Sequence, residues 1–297
     1  MFNVKQEVKL FLERSDYATC EYRGCFDIAA QKNVLLLIKT LLNVDSFQQE
    51  QARNLKIISN NLDAHPMLIA SHTTRDKLKQ GIVYERYDLP AMSIETFEDL
   101  ICNSIYPRVY RDRGGLYVEI DSDVLKDSRK NKGLSQRELA EAVGINKKAI
   151  YEHEKKQLRM MLDIAERLEQ ILDKKIITKT DVFKSYDSHG KPASNIEKSI
   201  GRNLEKIGFK TDFVKQAPFN VFAKEKTLVI SNIEIDKKKM VKHAADLSDF
   251  IRLVKKPAVV ITNKTDEDEL HGIPVVQKKE LEQMEKKDLI KKAKRAI

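Results

Sequence analysis

The stretch that most constrains this chain is Leu134-Ser135-Gln136-Arg137-Glu138-Leu139-Ala140-Glu141-Ala142-Val143-Gly144-Ile145-Asn146-Lys147-Lys148-Ala149-Ile150-Tyr151-Glu152-His153-Glu154. Ser135 with Glu138 three positions on is a capping box: each side chain accepts the other residue's backbone N–H, so a helix begins there. Leu139, Ala142 and Val143 then recur at helical spacing and predict its inward face. Gly144, just past them, suits the left-handed conformation that stops a helix sharply. Asn146 is a good N-cap for a second helix, which carries Ile150 inward. Two short helices joined by a tight turn follow. Upstream, Asp121 or Ser122 caps a helix through Val124, Leu125 and Arg129 to Asn131, closed by Gly133. Downstream, Met160, Met161, Ile164, Ala165, Leu168, Ile171 and Leu172 recur at steps of three and four and supply a lid helix.

At these residues the sequence resembles a known family. Leu125-Lys126, Arg129-Lys130, Gly133-Leu134-Ser135-Gln136, Glu138-Leu139-Ala140, Val143-Gly144-Ile145, Ile150 and Glu154 stand where the Cro-type, lambda-repressor-like helix-turn-helix family has its usual residues. The resemblance implies an all-α DNA-binding domain whose second motif helix enters the major groove, while the preceding helix is anchored at phosphates. Carried over, Asn146, Lys147, Lys148, Tyr151 and Glu152 are the candidates for the groove, and Gln136 for a phosphate. Lys147 or Lys148 would donate to guanine O6 or N7, and Glu152 would accept from a cytosine amino group. The chain departs from the family at Tyr151, larger than usual, at His153, in place of a large apolar residue, and at Lys155-Lys156, in place of a basic residue and glycine. These departures bear on how deeply the helix sits.

The 297 residues, 41% of them hydrophobic, suffice for two or three compact domains. The longest apolar run, Val34 to Ile38, is far too short to span a bilayer, and no signal segment is visible, so a cytoplasmic protein is expected. Cys20, Cys25 and Cys102 form no C-x-x-C pair and read as reduced thiols. Cys20 and Cys25 with His65 and His72 match no common zinc spacing, so no metal is expected. The net charge of +9 is uneven. Residues 1–120 hold 15 Lys and Arg against 16 Asp and Glu, residues 121–180 hold 14 against 11, and residues 181–297 hold 25 against 18. A basic surplus favours a polyanionic partner through counterion release.

Residues 1–120 read as an α/β domain ending in a β-hairpin. A helix through Val8, Leu10, Phe11 and Leu12 precedes strands at Phe26–Ala30 and Val34–Ile38. A helix from about Ser46 to Leu62 has Phe47, Leu55, Ile58 and Leu62 as its inward residues. Strands at Met67–Ala70 and Val83–Tyr87, a helix from about Ile94 to Ile105, and a hairpin about Asp112-Arg113-Gly114-Gly115 complete it. Arg108, Arg111 and Arg113 would reach a phosphate in the manner of a wing, or serve solubility. Residues 121–180 form the helix-turn-helix domain. Residues 184–194, with Gly190 and Pro192, read as a linker. The basic end Lys291-Lys292-Ala293-Lys294-Arg295 reads as a solvated, frayed helix end.

Residues 193–297 read as a second α/β domain and a repeat of the first. Phe26–Ala30 aligns with Phe219–Ala223, and Leu35–Leu37 with Leu228–Ile230, at one offset of 193 residues. Leu12-Glu13-Arg14, Pro66–Ile69 and Leu89–Met92 find Leu204-Glu205-Lys206, Pro257–Val260 and Ile273–Val276 in the same order. The fold class expected is therefore α/β: two related α/β domains flanking an all-α lambda-repressor-like helix-turn-helix domain.

Asp27 followed by Leu37-Ile38-Lys39 weakly resembles the PD-(D/E)XK arrangement of the restriction-endonuclease-like fold. A nuclease of that kind needs two carboxylates for a divalent cation and a lysine beside the attacking water. Here the second carboxylate position is Leu37, and in the second copy the three positions are Asn220, Ile230 and Asn232. No phosphate-cradling glycine loop, nucleophile elbow or H-E-x-x-H is present. A non-enzyme is expected, with no catalytic, cofactor or metal residues. The arrangement as a whole resembles HTH-type transcriptional regulators of archaea. It implies a sequence-specific regulator that binds double-stranded DNA as a homodimer, with any small-molecule effector undetermined. The alternatives are a nuclease or junction-resolving enzyme targeted by the helix-turn-helix, and a DNA-coating protein without sequence preference.

Overall fold

The computed structural model describes residues 3–112, 115–156, 158–234 and 236–297. They fold into two compact units. One comprises the chain up to Leu41, Asp45–Leu68 and Phe183–Ile297, and the other comprises Leu42–Val44 and Ile69–Val182.

Helix α1 (Val4–Arg14) buries Val8 and Leu12 and packs on β1 (Ala18–Glu21) and β2 (Ile28–Gln31). Strand β1 was not expected from its short, polar Ala-Thr-Cys-Glu sequence. Strand β3 (Leu35–Asn43), helix α2 (Gln49–Leu62) and β4 (Ala64–His72) follow, and the sheet of this part runs β1-β2-β3-β4. Helix α2 starts later than the sequence suggested, because Val44–Ser46 forms a separate 3-10 turn. Phe47 is buried ahead of the helix, Leu55 and Ile58 are buried within it, and Leu62 at its end is only half-buried.

Strands β5 (Ile82–Arg86) and β6 (Leu89–Met92) pair antiparallel across Tyr87 and Asp88. Both turn residues are left-handed, with φ of 52° and 63°, as a two-residue hairpin of matching twist requires. Helix α3 (Ile94–Cys102) is capped by Ser93 and ends three residues before the expected Ile105. Then β7 (Val109–Asp112) pairs parallel with β5, and β8 (Gly115–Val118) pairs antiparallel with β7. Arg113 and Gly114, expected in this turn, lie outside the described residues.

Helices α4 (Ser122–Asn131), α5 (Gln136–Val143) and α6 (Lys147–Lys155) lead to a two-residue strand, β9 (Met160–Met161), and to α7 (Leu162–Leu172). Met160 and Met161 therefore belong to a strand and not to the lid helix. Strand β9 pairs with β8, so the sheet of this unit runs β4-β6-β5-β7-β8-β9. Leu125, Leu139, Ala140, Val143, Ile150, Ala165, Leu168 and Leu172 form one core with Val118 and Met160 of the sheet. Ala140 takes the inward place that the spacing gave to Ala142, which is exposed. The chain leaves α7 beside its point of entry: the Asp121 N–H donates to the Ile176 carbonyl at 2.8 Å, and the Thr178 N–H to that of Glu119 at 2.9 Å.

The first unit resumes with α8 (Asn195–Lys206), β10 (Lys210–Phe213), β11 (Val221–Lys224), β12 (Leu228–Ile233) and α9 (Lys237–Val254). Strands β13 (Ala258–Thr262), β14 (Glu269–Leu270) and β15 (Ile273–Gln277), then α10 (Lys278–Leu281) and α11 (Lys286–Ala293), complete it. The second sheet runs β10-β11-β12-β13-β15-β14. Helix by helix and strand by strand this is the order met from α1 to β6. Helix α11 is not a frayed end: Leu289 and Ala293 are buried in the core of this part, and Lys292 pairs with Glu280 at 2.8 Å.

Within the first unit the two sheets' layers engage each other. Helix α9 packs on β1 and β2, and Phe26, Phe250, Phe219 and Phe222 stack in series at centroid distances of 5.9, 5.0 and 5.0 Å. From the other side Asn61 of α2 donates to Asp212 at 3.2 Å, and the Lys215 N–H donates to Asn54 at 3.0 Å. The Cys25 N–H donates to the Gln216 carbonyl at 2.8 Å, and a Cβ on Gly24 would stand 2.1 Å from that oxygen, so only glycine fits. Residues 184–194 are not a free linker. The Ser188 carbonyl accepts from Asn60 at 3.2 Å, His189 and the Gly190 N–H bond the Asp212 carboxylate at 3.0 and 3.1 Å, and His65 meets Phe183 edge-on.

Candidate nucleic-acid interface

The helix-turn-helix is held by local chemistry that the sequence announces. Ser135 accepts from the Glu138 N–H and Glu138 accepts from the Ser135 N–H at 2.7 Å, closing the capping box of α5. Gly144 ends α5 at φ 76°, and the Arg167 guanidinium of α7 donates to the Val143 carbonyl at 2.9 Å, covering an orphan carbonyl of the last turn. Asn146 then caps α6, its side-chain oxygen accepting the Ala149 N–H at 2.8 Å. Asp121, and not Ser122, caps α4, accepting from the Asp123 and Val124 N–H groups.

With Ile150 wholly buried, α6 turns its opposite face outward. Asn146, Lys147, Lys148, Tyr151 and Lys155 are exposed and Glu152 is half-exposed. Steps of three and four bring Lys147 and Lys148 beside Tyr151 and Glu152, and Tyr151 beside Lys155, so these side chains share one surface. Among the described residues neither Lys147 nor Lys148 has an ion-pair partner. The Lys155 ammonium lies 4.5 Å from the Tyr151 ring centre, and Glu152 pairs with Lys156 at 3.1 Å. Two unpaired cations near the positive end of a helix form a surface complementary to phosphate and to guanine edges. Asn146 keeps only its amide N–H groups for a ligand, since its oxygen serves the cap. Arg108 and Arg111 are exposed, and Arg113 lies outside the described residues.

Gln136, assigned to a phosphate, stands at the first position of α5, and its amide donates to the Glu154 carboxylate at 2.8 Å. That carboxylate is the hub of the motif. Arg129 of α4 donates to it through Nε at 2.5 Å and through a second nitrogen at 3.0 Å, and also donates to the Leu134 carbonyl at 2.8 Å. The two side chains are 11% and 4% exposed. Burial pushes the Glu154 carboxyl up, but the hydrogen bonds from Arg129 and Gln136 outweigh it and hold the group below the usual range. His153 beside it is half-buried, which pushes its pKa down and favours the neutral ring. The role of Glu154 was legible in principle. It lies four residues after Ile150, so an acid on the inward face required a buried cation, and Arg129 lies four residues after Leu125 on the inward face of its own helix.

A second feature left no such trace. Arg159, between α6 and β9, forks onto the Glu85 carboxylate at 2.7 and 3.2 Å and lies 3.6 Å over the ring of the buried Tyr110. Its partners are 74 and 49 positions away in sequence, and no periodicity connects them.

The nuclease-like residues of the first α/β copy are fully engaged with one another. One Asp27 carboxylate oxygen accepts from Lys39 at 2.9 Å, and the other from the Thr40 N–H at 2.8 Å and the Thr40 hydroxyl at 2.9 Å. Lys39 also donates to the Gly24 carbonyl at 2.8 Å. Leu37, where a second carboxylate belongs, is wholly buried. In the second copy Asn220 accepts from the Ile233 N–H at 2.8 Å and Asn232 donates to the Pro218 carbonyl at 3.3 Å. The Asn220 bond to Ile233 thus repeats without charge the one that Asp27 makes to the Thr40 N–H. Among the described residues no three His, Cys, Asp or Glu side chains converge as a metal-binding set. No helix among them is long and apolar enough to cross a membrane.

Comparison with known proteins agrees with this geometry. Residues 125–177 match the helix-turn-helix family model, and residues 3–107 match that of the PD-(D/E)XK superfamily domain. Three relatives bear the name "Putative HTH-type transcriptional regulatory protein". That of Pyrococcus furiosus is 32% identical over 264 residues, covering 86% of this chain and 84% of its own. That of Methanocaldococcus jannaschii is 34% identical over 275 residues, covering 89% and 86%. That of Methanobrevibacter smithii is 32% identical over 291 residues, covering 94% and 92%. No solved structure matches the chain. On identity and coverage the chain belongs to the family of helix-turn-helix transcriptional regulatory proteins that these archaeal relatives represent.

Proposed function

We propose that the chain is a sequence-specific transcriptional regulator of the Cro type, which lays α6 in the major groove of double-stranded DNA. The observation that carries this reading is the face of α6: Lys147, Lys148 and Tyr151 exposed, the lysines unpaired among the described residues, and Ile150 and Glu154 locking the opposite face to α4 and α5. Asn146, Lys147, Lys148, Tyr151 and Glu152 meet base edges and the adjacent backbone, and the second amide N–H of Gln136, the one not given to Glu154, serves a phosphate at the start of α5. One helix-turn-helix per chain reads one half-site, so the active species is a homodimer on a site with two related halves. In sequence order we read three domains, α/β at 1–120 and 193–297 on either side of the helix-turn-helix at 121–180, which the fold gathers into two compact units. The shared order of the two sheets supports an internal duplication. The protein acts in the cytosol and without catalysis.

The PD-(D/E)XK match favours one other reading, a nuclease guided by the helix-turn-helix. Against it stand the missing second carboxylate at Leu37 and the saturation of Asp27 by Lys39 and Thr40. Selection from random duplex DNA with magnesium present separates the readings. An enriched two-half motif on intact DNA supports the regulator, cut DNA supports the nuclease, and intact DNA without enrichment supports a coating protein.

A further inference from the structure

Helix α6 ends at Lys155, and the chain must then cross to β9 at Met160. Short bridges hold the described residues on either side of Gln157, which itself lies outside the described residues. The Ser122 hydroxyl donates to the Lys156 carbonyl at 3.3 Å, the Leu158 N–H donates to the same carbonyl at 2.8 Å, and Met160 and Met161 pair with Val118 and Tyr117 of β8. Between them Arg159 reaches across the sheet. Its guanidinium takes both oxygens of Glu85 on β5 and stacks on Tyr110 of β7, and the Tyr110 hydroxyl in turn donates to Glu119 at 2.9 Å. Two paired strands, β5 and β7, therefore hold one side chain, four residues beyond the helix proposed for the groove.

A planar fork that is both hydrogen-bonded and stacked has one orientation, whereas an ammonium in its place has many. We infer that Arg159, clamped by Glu85 and Tyr110, is a positioning residue for DNA recognition: it fixes where the chain from the end of α6 joins the sheet and thereby the register of Lys147, Lys148 and Tyr151 on the bases. It touches no base itself. The inference rests on α6 being the groove helix. Base-edge contacts depend on direction, while attraction to the phosphate backbone depends mainly on charge. Loosening the clamp without changing net charge at Arg159 should thus reduce discrimination and leave non-specific attraction in place.

The test uses the full chain, its selected duplex and an unrelated duplex of equal length, each titrated over a range of salt. The variants are Arg159→Lys, which keeps the charge and loses the fork, and Glu85→Gln, which removes its anionic partner. The expected result is about tenfold weaker binding to the selected duplex, equivalent to roughly one well-aimed base-edge hydrogen-bond pair. Binding of Arg159→Lys to the unrelated duplex and its salt slope should be unchanged, and amide exchange in α4 to α7 should stay slow in both variants. Unchanged discrimination in both variants overturns the inference. So does a parallel loss on both duplexes with fast exchange in α6, because the clamp would then only keep the helix folded. If the wild-type chain enriches no sequence, the groove-helix reading itself has failed, and that is seen before either variant is made.

Discussion

Replacing Glu154 by Gln removes one charge from the most enclosed ion pair of the helix-turn-helix while keeping the side chain's shape. Arg129, 11% exposed, then loses its bidentate acceptor, and Gln136 faces an amide in place of a carboxylate. Removing one member of a buried pair costs about 3–5 kcal/mol, because the remaining charge is left without compensation. That corresponds to an opening equilibrium larger by a factor on the order of a hundred to a few thousand. Native-state hydrogen exchange of the full chain at pH 7 reads it in α4, α5 and α6. The double replacement Arg129→Met with Glu154→Leu should recover most of the loss, since both buried charges leave together. The pH dependence has a definite sign. The Glu154 carboxyl is held below its ordinary 4.5, so its stabilisation is complete above that value and is lost as pH falls through the lower folded value. Glu154→Gln should remove this part of the acid sensitivity. A cost under about 1 kcal/mol for Glu154→Gln would refute the argument that the pair is both buried and essential.

Three further outcomes are expected. Charge reversal at Lys147 and Lys148 should abolish discrimination, and their replacement by Ala should lower the salt slope of binding by about 0.9 for each phosphate left unneutralised, read by titration over a salt series. Gly24→Ala should destabilise the first unit by about 1–3 kcal/mol in a thermal melt, because its Cβ would meet the Gln216 carbonyl at 2.1 Å. Asp27→Asn should leave DNA binding unchanged, and neither it nor the wild type should cut duplex DNA with magnesium in a gel assay.

The helix-turn-helix was legible almost residue by residue because its signals are local. Ser135, Glu138, Gly144 and Asn146 cap or stop helices through bonds to backbone at most four positions away, and each takes the geometry its type favours. The six strands of the second sheet follow the order of the strands from β1 to β6. What escaped was non-local or edge structure. Strand β1 has no apolar alternation, and Met160 and Met161 fit a helical spacing but are drawn into pairing with β8. Residues 184–194 have linker composition, yet Gly190 is fixed where a Cβ would lie 1.6 Å from the Phe213 carbonyl. Arg159 is one arginine among many until the fold brings Glu85 and Tyr110 to it.

The measurement that bears most directly on the central claim is selection by the full-length protein from a pool of random duplexes, with magnesium present and the recovered DNA sequenced and sized. The account predicts one enriched motif of two related half-sites on uncut DNA, abolished when Lys147 and Lys148 are reversed in charge. Cleaved DNA, or a recovered pool with no enriched sequence, would contradict it.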